Sequence, residues 1–198
     1  MTITLKSIKC LISVVLLGAV LTSCVQSDYT KLVKQELGKG VRRDSLLLGI
    51  YFGNTRNEFY GKCFDLNKAG LVMQGPGNKS VQHVFIDSSV HKKAAQIRLL
   101  FMPVYDSSQS IAQMNMEFSY TAWAPWNKEA QSDSLKIKAM KLLMNWYKGN
   151  EFINAKIGKE NVPVKLDGNR RIILYIENPQ TVTVKIQDIL NPLFAHKL

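Results

Sequence analysis

Between Met114 and Thr121 apolar and polar positions alternate without a break. Met114, Met116, Phe118 and Tyr120 stand against Asn115, Glu117, Ser119 and Thr121. A period of two sends the first set to one face, so the segment reads as a half-buried antiparallel strand. Thr181–Ile186 repeats the pattern, with Val182, Val184 and Ile186 on one side and Thr181, Thr183 and Lys185 on the other. Residues 94–104 alternate less cleanly, and Asp106-Ser107-Ser108-Gln109 joins them to the strand at 114 as a hairpin. Leu71–Gln74 and Val81–Ile86 flank the turn composition Gly75-Pro76-Gly77-Asn78. Further strands are expected at Phe152–Ile157, Val162–Leu166 and Arg170–Glu177. Asp167-Gly168 and Glu177-Asn178-Pro179-Gln180 form the turns after the last two. The apolar run Leu46–Gly53 is expected as a short strand.

Helical spacing interrupts this pattern in four places. Thr55 with Glu58 forms a capping box, and Phe59, Cys63 and Leu66 then recur at i, i+4 and i+7 until Gly70. From Ser132 to Lys148, Leu135, Ala139, Leu142, Leu143 and Trp146 line one face, while Lys136, Lys138 and Lys141 project elsewhere and Gly149 stops the helix. Leu32, Val33 and Leu37 define a short helix ending near Gly38 or Gly40, and another closes the chain around Gln187–Phe194. The expected buried set includes Phe59, Cys63, Leu142, Trp146 and Val184. One helix followed by four strands thus occurs twice, about 46–121 and 132–187, as pseudo-repeats of pattern only. This order implies an α+β fold, an antiparallel sheet with helices on one face, built of two helix-plus-four-strand units in tandem across 46–198.

The first residues belong to a different grammar. Lys6 and Lys9 precede Cys10–Leu21, an apolar core of 12 residues, whereas a spanning helix needs about 20. The core ends in Leu21-Thr22-Ser23-Cys24, which resembles the bacterial lipobox. That resemblance makes 1–23 a removable signal peptide and Cys24 the lipidation site, its sulfur carrying diacylglycerol and its amino group a further acyl chain. Two or three such chains hold a protein durably on a bilayer. Residues 24–45 then form a lipidated tether and the short basic helix.

Formal charge is +11 for the chain and +9 without residues 1–23. Lys31, Lys34, Lys39, Arg42 and Arg43 crowd into residues 31–43 against Glu36 alone. Just after a lipid anchor, this basic patch either rests on anionic headgroups or is a solvated helix face. An exported lipoprotein meets little nucleic acid, so anionic lipid, lipopolysaccharide or an acidic protein suits the charge better.

With Cys24 acylated, Cys63 is the one thiol left, which excludes an intramolecular disulfide and a cysteine-based metal site. His83, His91 and His196 match no metal spacing, and neither G-x-S-x-G nor S-x-x-K nor a phosphate loop stands in the chain. No catalytic residue, metal or cofactor is assigned. Trp123, Pro125 and Trp126 follow the longest alternating strand. They either close one end of the core or offer a platform for a glycan or a protein partner. The expected function is a non-catalytic cell-envelope lipoprotein binding a protein partner at the membrane surface. A lipid- or glycan-binding lipoprotein and a hydrolase with an unfamiliar site are the alternatives.

The stretch Leu48-Gly49-Ile50-Tyr51-Phe52-Gly53-Asn54-Thr55-Arg56-Asn57-Glu58-Phe59 resembles a motif of small envelope lipoproteins, in which an apolar strand, a glycine, a capping threonine and a helix recur near the mature start. The BamE/SmpA-like lipoproteins use it, and so does the β-lactamase-inhibitor-like fold, as tandem helix-plus-strand units. The whole sequence is also similar to lipoproteins of the Bacteroidetes type. These resemblances imply protein binding and supply no catalytic residues. Val25-Gln26-Ser27-Asp28 lacks the acidic cluster associated with surface export in that group, which implies an outer-membrane anchor facing the periplasm.

Overall fold

The computed structural model describes residues 27–87 and 95–195. The signal segment, Cys24, His91 and His196 lie outside the described residues. The elements run α1 (Asp28–Gly38), α2 (Arg56–Lys68), β1 (Met73–Gln74), β2 (Val81–Asp87), β3 (Ala95–Tyr105), β4 (Ile111–Tyr120) and α3 (Ser132–Trp146). They continue with β5 (Ile153–Ile157), β6 (Glu160–Asp167), β7 (Arg170–Asn178), β8 (Thr181–Asp188) and α4 (Pro192–Ala195). The strands form one antiparallel sheet in the order β1-β2-β3-β4-β8-β7-β6-β5. Each helix-plus-four-strand unit supplies a meander, and the two meanders meet where β4 pairs with β8, Met116 opposite Val184.

The alternating pattern sets the two sheet faces as expected. Leu99, Phe101, Met114, Met116, Phe118, Leu174, Val182, Val184 and Ile186 share one fully buried face beneath α2 and α3. Phe59 and Leu66 descend onto it from α2, and Leu135, Ala139 and Leu143 from α3. Burying a side chain of this size contributes about 1.5–3 kcal/mol. The Thr55 cap forms as read, its hydroxyl accepting from Glu58 N–H while Glu58 reaches back to the Thr55 N–H.

α1 occupies the opposite face. Ile173 and Tyr175 alternate with Ile172 and Leu174 on β7, and they cluster with Val162, Val164 and Tyr29 of α1. Val33 of α1 packs on Leu166 and Ile189. The short basic helix, grouped from the sequence with the tether of 24–45, thus packs on the sheet of the 46–198 domain. Its end is pinned by a polar network around the β6–β7 turn: Glu36 accepts from the Gly168 N–H at 2.9 Å, and Asn169 bonds Asp44 and Asp188. Gly168 sits at φ +56°, and a Cβ there would lie 2.2 Å from the Val41 carbonyl oxygen. The position takes glycine because the backbone of another segment closes on it.

Several local expectations are corrected; the closing helix expected around Gln187–Phe194 is only Pro192–Ala195, because β8 continues through Asp188. Leu46–Gly53 is a tight loop rather than a strand: Leu48 (φ 52°) and Gly49 (φ 75°) turn the chain, and Leu46 N–H bonds Ile50 O. The run is apolar because Leu46, Ile50 and Phe52 plug the end of the core. Trp146, expected inside, is 41% exposed. The helix stops there, and Tyr147 leaves it to take the inward place, its hydroxyl donating to Leu46 O at 2.6 Å. Cys63 and Leu142 are half-buried, whereas Phe59 and Val184 lie inside as expected.

Candidate functional site

A groove of about 710 Å³ runs between α2 and the β1–β3 part of the sheet. Binding pockets for small organic ligands span about 300–1,000 Å³. Phe59 and Phe101 meet edge to face in its floor, with ring centroids 6.5 Å apart. Tyr60 and Phe64 form the α2 lip, and Phe64 is 62% exposed. Val72, Met73 and Met102 line the opposite wall. The apolar face of α2 is thus wider than the core uses: Phe59, Cys63 and Leu66 point inward, while Tyr60 and Phe64, also four apart, point along the groove.

One end of the groove is cationic. Arg56, the first residue of α2, lies over the Tyr105 ring with its guanidinium carbon 4.4 Å from the centroid. Its other contact is Gln109 Oε1 at 3.4 Å. Val81 pairs with Phe101, so Lys79 and Ser80 lie beyond that pair, at the sheet end to which β3 carries Pro103 and Tyr105. The groove lining therefore brings together two cations and, among the described residues, no acidic side chain. The Tyr105 hydroxyl is buried there with no hydrogen-bond partner among the described residues. Burial raises its pKa, Arg56 opposes the rise, and Tyr60 and Cys63 add to it. Cys63 lines the same groove, and burial pushes its thiol up to about 11.

The structure separates the two tryptophans that the sequence offered as one platform. Trp123 packs against the core with its Nε1 buried and unpartnered among the described residues. Trp126 is 85% exposed. Gln131 steadies its loop by donating to Ala124 O and Asn127 O, at 3.0 and 2.8 Å. The loop leaves β4 at Tyr120, the opposite end from Tyr105, so Trp126 stands away from the cationic end of the groove.

The basic residues near the start also divide. Lys31 pairs with Asp28 at 3.3 Å, Lys39 pairs with Glu36, and Arg42 bridges Asp44 and Asp188 at 3.0 Å each. Lys34 and Arg43 extend exposed side chains. His83 donates through Nδ1 to Leu71 O at 2.6 Å and stacks on Phe85, which is a packing role. Among the described residues no group of His, Cys, Asp and Glu side chains is placed to hold a metal ion, and no helix is long and apolar enough to cross a membrane.

The chain matches no family model, no curated protein and no solved structure. Its site is accordingly read from its own residues. The groove was not singled out from the sequence, although Tyr60 and Phe64 at i, i+4 beside the core stripe carried the signal. Arg56, Lys79 and Tyr105 are far apart in sequence and converge only through the pairing of β2 with β3 and the placement of α2.

Proposed function

We propose that the chain is a non-catalytic binding protein of the bacterial cell envelope, anchored through an acylated Cys24, and that its ligand site is the groove under α2. The observation that carries this reading is the groove's build: an apolar channel flanked by exposed aromatic rings, with cations gathered at one end. A core-forming surface of that size is normally covered, and contiguous exposed apolar area marks interaction sites. Lys34 and Arg43, exposed on and just after α1, and the acyl chains would hold the domain beside the membrane, within reach of envelope lipids and proteins.

The test is photocrosslinking in intact cells with the full chain carrying benzoylphenylalanine at position 64. An adduct at 64 that exceeds the one at position 117, on the polar sheet face, supports the groove as the site. Equal yields at both positions would remove it.

The 85% exposure of Trp126 favours a second reading, a protein partner anchored at the loop tip. A tryptophan hot spot contributes about 2 kcal/mol or more to binding. Under this reading Trp126→Ala abolishes any crosslink formed from neighbouring position 127 and leaves the melting temperature almost unchanged. A crosslink from 127 that survives the substitution would dismiss the loop as an anchor.

A further inference from the structure

We propose that the groove takes a single-chain anionic amphiphile, such as a fatty acid, with its acidic head at the Arg56–Lys79 end and its hydrocarbon tail along α2. The inference rests on the groove being the ligand site and goes further by naming the occupant. Two features point the same way. The first is axial asymmetry. Arg56 begins α2 and Phe64 lies two turns later, about 12 Å along the axis at helical rise. Between them the lining is Phe59, Tyr60 and Cys63 on the helix and Phe101 on the sheet. A ligand lying parallel to the helix thus meets both lining cations at one end and hydrocarbon along its length, while Lys68, with Nζ 5.1 Å from the Phe64 ring centroid, stands outside the lining at the other end.

The second feature is unspent charge. Arg56 and Lys79 have no ion-pair partner among the described residues, in contrast to Lys31, Lys39 and Arg42 of the same chain. Arg56 is parked on an aromatic face, a contact of about 0.5–1 kcal/mol at an exposed site, and a carboxylate or phosphate offers it a charge-assisted pair instead. A neutral glycan leaves the cationic end unpaired, and a peptide would have to supply an acidic group and a run of apolar side chains to match both parts of the groove.

The experiment uses isolated membranes bearing the full chain, so that the probe is not built into the Cys24 anchor. A long-chain fatty acid with a diazirine on its tail is added, the membranes are irradiated, and the labelled peptides are mapped. A fatty alcohol of the same chain and diazirine serves as the neutral comparison. The expected result is labelling of peptides from α2 and β3 by the acid, at least several-fold above the alcohol. Arg56→Glu with Lys79→Glu should reduce it about tenfold. Phe64→Glu, at an exposed position, should reduce it independently while the melting temperature holds. Equal labelling by acid and alcohol overturns the head-group assignment, as does undiminished labelling of the charge-reversed chain. If the acid fails to label α2 and β3, while benzoylphenylalanine at position 64 still gives its adduct, the amphiphile is wrong and the groove stands. If both are silent, the groove reading falls with it.

Discussion

At the scale of single residues, Cys63 shows how its surroundings set its chemistry. It faces the groove from α2, yet burial pushes its thiol up to about 11, so at neutral pH it is protonated and a poor nucleophile. Alkylation by iodoacetamide is expected to be slow at pH 7 and to climb as the pH is raised, and a ligand in the groove should slow it further. Mass-spectrometric time courses measure this directly, and a rate at pH 7 equal to that of a free thiol would contradict it. Phe59, four residues earlier on the same helix and 3% exposed, is fixed in the core. Trp146 was read by the same periodicity and came out differently. It stands at the last position of α3, where the chain is already leaving the helix, and helical spacing places a side chain reliably only while the helix continues.

At the scale of elements, α1 is held by both packing and charge, and the charge part is pH-dependent. Burial pushes the Glu36 carboxyl up, but the Gly168 N–H, the Lys39 ammonium and the Asn150 side chain together outweigh it, and the group titrates below its ordinary 4.5. A carboxylate depressed in the folded state contributes its stabilisation fully above the unfolded value. That contribution disappears as the pH falls through the lower native one. The melting temperature should therefore drop below about pH 4.5, and Glu36→Gln should flatten that limb while lowering stability at pH 7. Thermal melts across pH 2–7 read both effects; an unchanged acid limb in the variant would show that Glu36 does not fasten α1. This fastening was hidden in the sequence. The apolar stripe of α1 was legible in Leu32, Val33 and Leu37, but Glu36 looked like one acid among five bases, and its partner Gly168 lies 132 residues away. The strands of both meanders were legible because alternation is a local property, clean in Met114–Tyr120 and in Thr181–Ile186. The Leu46–Gly53 loop was misread because the positive φ of Leu48, Gly49 and Gly53 leaves no mark on hydropathy. The groove's cationic end was illegible for the same reason as Glu36: Arg56, Lys79 and Tyr105 are assembled by pairing and packing.

At the scale of the whole molecule, α1 is docked on the sheet only a few residues after Cys24, the proposed anchor. Cys24→Ser is expected to leave an unprocessed precursor, whereas the N-terminal peptide of the unaltered chain should carry acyl chains on Cys24. Mass spectrometry of that terminus decides it, and an unmodified terminus at any other residue would refute the anchor. The join between the two meanders has a further consequence, for the order in which the protein is made. β4 is complete at Tyr120, yet its inner neighbour β8 begins only at Thr181. In the interval β4 offers a free row of N–H and C=O groups beside Met114, Met116 and Phe118, the kind of open edge that recruits other strands. Closing the join across a long connection costs little extra in equilibrium terms, since each doubling of loop length adds only about 0.6 kcal/mol. The burden is one of time, because distant pairings form late. A chain threaded across a membrane from its N-terminus would make that passage with its stickiest strand uncovered, and would depend on something to hold it apart until residue 188 arrives.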